Sequence, residues 1–112
     1  MIGLILVVIV VLSGLAPVAW ANPTHDRLQK MSSGERNGIF TTVLKGSGEN
    51  CDAVTRNFFQ GATESGDVLW NVACRNGKSY LIKINNDAEG SNKILSCAVL
   101  KAFNGGECFK KF

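Results

Sequence analysis

The chain has 112 residues, and its 12 Lys+Arg against 9 Asp+Glu give a formal net charge of +3. That length fits one small domain; with a single apolar run and no sustained heptads, it excludes a multi-domain enzyme, a polytopic transporter and a coiled coil. The charge is modest and the basic residues are spread along the chain, which argues against a nucleic-acid partner.

The first 21 residues carry no charged side chain. Ile2 to Leu12 is an unbroken apolar run, broken by Ser13-Gly14 and followed by Pro17-Val18-Ala19-Trp20-Ala21. Small residues at 19 and 21 form an A-x-A cleavage pattern, so residues 1–21 read as a signal peptide cut between Ala21 and Asn22. The alternative is a retained anchor, since Ile2 to Trp20 approaches the ~20 residues that span a bilayer. With cleavage, no stable membrane anchor is left.

Residues 22–31 are polar and include Pro23, and they read as a flexible leader to a single domain over 32–112. Ser32 and Glu35 stand in the S-x-x-E capping-box relation, so a helix begins here. Ile39, Phe40, Val43 and Leu44 recur at helical spacing, and Gly46-Ser47-Gly48 ends the element. Cys51 to Phe59 reads as a strand through Val54, Thr55, Phe58 and Phe59, with a helix capped by Asn50 as the alternative. Val68 to Cys74 is the clearest strand, with β-branched and aromatic residues at 68, 70 and 72.

Arg75-Asn76-Gly77-Lys78 is a turn whose geometry follows from its flanks. A two-residue Asn76-Gly77 turn would set Trp70 and Val72 on the opposite face from Tyr80, Ile82 and Ile84. A three-residue loop with Gly77 left-handed pairs Val72 with Tyr80, Trp70 with Ile82 and Val68 with Ile84, giving one apolar face. Asn85 to Asn92 is a polar turn, and Ile94 to Leu100, apolar on both faces, reads as the last strand. The expected fold is α+β: one helix packed on a four-stranded antiparallel β-meander, stapled by disulfides.

Four cysteines in a small exported domain point to disulfides. In the meander, position 51 falls opposite about 74 to 76, so Cys51 pairs with Cys74. Cys97 on the fourth strand is separated from the second by an intervening strand, ~9 to 10 Å away and beyond disulfide reach. Cys97 therefore pairs with Cys108. The spacing offers no zinc pairs, no C-x-x-C for thiol exchange and no haem attachment motif.

Little in the chain suggests catalysis. The sole histidine, His25, falls in the expected flexible leader, which removes histidine-based acyl transfer. Glu49, Asp52, Glu64, Asp67, Asp87, Glu89 and Glu107 fall mostly in turns, where carboxylates are ordinarily solvated. Asn85 to Gly90 lacks the ligand spacing of a calcium loop, and Gly46-Ser47-Gly48 follows a helix where a phosphate cradle would precede one. No catalytic, cofactor or metal residue is assigned. Trp70 and Tyr80 could form an aromatic binding face, although their alternation suits a core better. Phe109-Lys110-Lys111-Phe112 mixes aromatic and basic groups, read as Phe109 packing beside Cys108 with the lysines solvated.

From Gly48-x-x-Cys51-x-x-Val54, through Trp70-x-Val72-x-Cys74-x-x-Gly77-x-x-Tyr80-x-Ile82-x-Ile84, to Cys97 and Cys108-Phe109, the chain resembles small exported bacterial proteins of unassigned function. Over about residues 33 to 100 it is also similar in order to PepSY-like domains, a helix followed by strands with a W-x-V…G-x-x-Y-x-V pattern. That resemblance implies a binding role, inhibiting or regulating a peptidase in the cell envelope; the cysteines depart from the usual PepSY pattern. The expectation is thus a periplasmic or secreted non-enzymatic domain that binds a protein or peptide, by strand addition at an edge strand or on an open sheet face. The alternatives are a small secreted hydrolytic or lytic enzyme and a structural envelope component.

Overall fold

The computed structural model describes residues 22–103 and 106–112. The expected signal peptide, residues 1–21, lies outside them. Among the described residues no helix is long and apolar enough to cross a membrane.

The first element overturns the flexible reading of residues 22–31. Asn22 accepts the His25 amide with its side-chain oxygen at 3.1 Å and caps a helix, α1, over Pro23–Gln29, with Pro23 in the first turn where its missing N–H costs nothing. Asn22 also donates to the Gly66 carbonyl at 3.0 Å, which fixes the start of the helix against the sheet. His25 and Leu28 are buried. So short a helix does not persist alone in water, and burial of that face is what holds it.

Helix α2, Ser33–Gly46, opens on the expected capping box: Glu35 N–H donates to Ser32 Oγ at 3.2 Å and Ser32 N–H donates to Glu35 Oε1 at 2.9 Å. Phe40 and Leu44 are buried, while Ile39 stays 43% exposed. The α2 helix packs over the first strand. Thr41 Oγ1 accepts the Val54 amide at 2.9 Å, and Asn57 donates to Asn37 Oδ1 at 2.7 Å. Arg36 completes the seam, donating to Asn57 Oδ1 at 3.0 Å and to the Met31 carbonyl at 2.8 Å, so one side chain joins α1, α2 and the sheet.

The sheet is a four-stranded antiparallel meander in the order β1 (Val54–Ala62), β2 (Val68–Cys74), β3 (Ser79–Ile84), β4 (Asn92–Ser96). Residues 54–62 are therefore a strand. The β2–β3 register pairs Val72 with Tyr80, Trp70 with Ile82 and Val68 with Ile84, as the one-face argument requires. Gly77 closes that hairpin at φ 93°, and Cys74 N–H donates to the Lys78 carbonyl at 2.8 Å. Val68, Trp70, Val72, Tyr80, Ile82 and Ile84 all lie under the helices. Each such side chain contributes about 1.5–3 kcal/mol by leaving water, and this layer is the main source of stability.

The last expected strand, Ile94 to Leu100, is corrected. Strand β4 ends at Ser96, whose hydroxyl accepts the Ala98 amide at 3.2 Å and caps a short helix, α3, over Cys97–Ala102. An apolar run without alternation suits either state, and here the serine cap and the alanines decide for helix. Both disulfides are as derived from the meander: Cys51–Cys74 with Cα atoms 5.6 Å apart and Cys97–Cys108 at 5.9 Å. Such bonds belong to a non-reducing compartment.

Candidate functional site

Strand addition needs an unpaired edge, and a binding face needs exposed side chains. The sheet offers two faces and two edges. Trp70 and Tyr80 are 4% and 5% exposed, so they belong to the core and form no binding face. Tyr80 is nonetheless perturbed: burial, and then the Glu49 carboxylate, raise its phenol above the ordinary value.

The opposite sheet face is not open either. Residues 106–112 cross it as a strap. Asn71, fully buried in the middle of β2, accepts the Phe109 amide at 2.6 Å and donates to Gln60 Oε1 at 3.1 Å. Gln60 in turn donates to the carbonyls of Glu107 at 2.8 Å and Lys110 at 3.0 Å. Phe109, at φ 63°, lies with its ring 6.1 Å from that of Phe58 and 4.1 Å beneath the Arg56 guanidinium. The Cys97–Cys108 bond anchors the strap at its start.

At the first edge, β1 is bulged at two places, between Val54 and Arg56 and between Phe59 and Gly61. Its backbone is also partly engaged. Val54 N–H is bound to Thr41, and the Gln60 carbonyl accepts the Phe112 amide at 3.4 Å. The edge is therefore a poor template for another strand.

At the second edge, β4 is regular. Asn85 N–H donates to the Ser91 carbonyl at 2.8 Å, which sets the phase of the β3–β4 ladder. By alternation Lys93 and Leu95 bond to β3, whereas Asn92 and Ile94 direct their N–H and C=O groups away from the sheet, as Ser96 does its N–H; the Ser96 carbonyl belongs to the first turn of α3. Beside this edge, on the helix side, lies an apolar cleft of about 50 Å³ walled by Leu28, Ile39, Phe40, Val43, Ile82 and Ile84, with Asn92 at its rim. Thr24 and Gly90 close one end; Gly90 sits at φ 67°, and any β-carbon there would overlap the Thr24 hydroxyl. On a strand added to β4, every second side chain would lie on the cleft's side of the sheet, with the one beside Asn92 next to its mouth.

The remaining side chains show no catalytic grouping. Among the described residues no three of His, Cys, Asp or Glu converge as metal ligands, and all four cysteines are in disulfides. Four carboxyls are held below their ordinary values by local hydrogen bonds: Glu35 by Ser32, Asp52 by Arg75, Asp67 by the Asn86 amide and Asp87 by Ser91. His25, far from being solvated, accepts the Trp70 indole N–H on Nδ1 at 3.3 Å, and burial lowers its pKa. The signal for that placement was Asn22-Pro23 as cap and first helical residue, with His25 and Leu28 three apart. Comparison with known protein families, curated proteins and solved structures finds no match.

Proposed function

We propose that the chain is an exported, non-enzymatic domain, periplasmic or secreted, that captures an extended protein or peptide segment by strand addition to β4. The observation that carries this reading is the pairing of a regular, unpartnered edge with an apolar cleft alongside it. The three N–H groups of Asn92, Ile94 and Ser96 and the two C=O groups of Asn92 and Ile94 that point outward would each contribute about 0.5–1.5 kcal/mol when bonded. Ordering the incoming segment costs about 1–2 kcal/mol per residue, so the backbone alone about breaks even. Side chains entering the cleft, at about 1.5–3 kcal/mol when fully buried, decide whether binding is net favourable. A PepSY-like inhibitor or regulator of an envelope peptidase is the specific role this arrangement suits. The non-enzymatic reading is supported by the one histidine, whose Nδ1 is already bonded to the Trp70 indole.

Selection of a random peptide library on the oxidised protein tests the proposal, with Ile94→Pro as the counter-selector. Proline at 94 removes an outward N–H and leaves the β3–β4 ladder donors in place. Peptides that bind the natural protein, shift the Ile94 and Ser96 amide resonances and lose affinity for the folded Ile94→Pro variant are the expected result. Enrichment of none, or of peptides indifferent to proline at 94, would overturn it.

A further inference from the structure

The chemistry of the incoming segment can be taken further, on the strength of the strand-addition reading. The outward face of β4, away from the cleft, presents Lys93 and Leu95. Lys93 stands directly across from Lys83 in the β3–β4 register. Like charges placed opposite each other on one sheet face repel. Lys83 is answered by Asp67, whose carboxylate lies 3.6 Å from its ammonium, but Lys93 is exposed and has no ion-pair partner among the described residues. Asp87, in the preceding turn, is already engaged with the Ser91 amide at 3.0 Å and the Ser91 hydroxyl. Glu89 in the same turn is exposed and makes no ion pair with Lys93.

The wider distribution points the same way. Up to Ser91 the basic and acidic residues balance, eight of each. After Ser91 there are Lys93, Lys101, Lys110 and Lys111 against Glu107 alone, so the whole formal +3 resides in the final segment. Lys110 pairs with Glu107 at 3.4 Å, and Lys111 lies 4.4 Å over the Phe59 ring at the β1 side of the sheet. Lys93 and Lys101 are left, flanking the two ends of the β4–α3 junction.

We propose that the segment β4 captures is acidic and apolar in alternation: an aliphatic side chain enters the cleft and the next residue, on the opposite face, is a carboxylate set against Lys93. In an antiparallel arrangement, residues opposite Ile94 and Asn92 face the cleft, and the residue between them faces Lys93. The cleft, at about 50 Å³ with walls that are apolar apart from Thr24 and Asn92 at its ends, fits one branched aliphatic side chain and gives a charged one no counter-charge. The carboxylate supplies the counter-charge that Lys93 lacks.

Two blocked peptides test this, Thr-Ile-Val-Glu-Val-Thr and the same sequence with Lys in place of Glu, titrated into the oxidised protein while backbone amides are followed by NMR. The glutamate peptide is expected to shift Ile94 and Ser96 and to bind roughly three- to tenfold more tightly than the lysine peptide. The difference should shrink in high salt and reverse in the Lys93→Glu variant. Equal affinities at the β4 edge would overturn the acidic assignment and leave strand addition standing, with Lys93 reduced to a guard of the edge. If neither peptide shifts the β4 amides, strand addition itself fails and this inference falls with it. Serine in place of the second valine should abolish binding of the glutamate peptide; retained affinity would remove the cleft from the site.

Discussion

His25 makes the fold's stability depend on pH in a way that one substitution can isolate. Its Nδ1 accepts the Trp70 N–H at 3.3 Å, so the neutral ring carries its proton on Nε2. A second proton would have to go on Nδ1, against the indole donor, in a site where the Phe59 ring centroid is 4.7 Å away. The nearby charges are mixed. Arg36 lies 5.3 Å over Trp70 and Lys111 lies 4.4 Å over Phe59, both unfavourable to an imidazolium, while Asp26 favours it. Burial is the largest effect and lowers the pKa below the ordinary 6.5.

The consequence follows from proton linkage. Above the unfolded pKa of about 6.5 both states are neutral at this position and the full stability is present. As the pH falls below that value the unfolded chain takes up a proton that the folded chain refuses. Stability then declines by at most about 1.4 kcal/mol per pH unit until the folded pKa is reached, where the loss levels off. Denaturant unfolding followed by tryptophan fluorescence between pH 8 and 5, for the natural protein and for His25→Phe, measures this. The difference between the two removes the carboxylates common to both. The natural protein should lose more stability than the variant below pH 6.5. Parallel curves, or a folded-state His25 that titrates at or above 6.5 by NMR, would refute the reasoning.

Two further outcomes follow from the covalent and polar ties. Replacing Cys51 and Cys74 together by serine opens a loop of 23 residues' separation, and unfolding free energy should fall by about 3 kcal/mol in denaturant melts of the oxidised protein. Asn71→Ala leaves Gln60 and the Phe109 amide each short of a buried partner, at about 1–3 kcal/mol apiece, and should speed amide exchange along 107–112 before it does so in β2 or β3.

Legibility in the sequence follows how local each cause is. The β2–β3 register was readable because a one-residue slip would carry Trp70 and Val72 away from Tyr80, Ile82 and Ile84, and only one turn geometry avoids that. The disulfides followed from the same meander, since strand order alone forbids Cys74 from reaching Cys97. Helix α1 is hard to read because its polar residues outnumber His25 and Leu28, and the rings that pack on His25, Phe59 and Trp70, are distant in the chain. Helix α3 is hidden because Ile94 to Leu100 lacks alternation and its Ser96 cap falls inside that apolar run. The strap was hidden by Asn71. Between Trp70 and Val72 an asparagine reads as the wet side of a strand, yet its buried amide serves as the receptor for Phe109. An edge strand is legible as a class of surface, but the β4 cleft depends on α1, and residues 22–31 do not announce a helix.

That dependence on α1 also separates the two roles Lys93 can play. A short edge strand bearing one lysine is how many sheets discourage unwanted pairing, and such a guard needs nothing beside it. Here the same edge borders a cleft whose far wall is Leu28 of α1 and whose rim includes Ile39, left 43% exposed. The other sheet face is strapped, and the β1 edge is bulged and bonded to Phe112. If β4 captures a strand as proposed, the strapped face and the bulged β1 edge leave it the one regular edge with an apolar cleft beside it, and Lys93 would then set the charge of what can pair. Anything that unseats α1, acid included, should therefore weaken capture at β4 through the cleft wall, although His25 touches neither the edge nor its ligand.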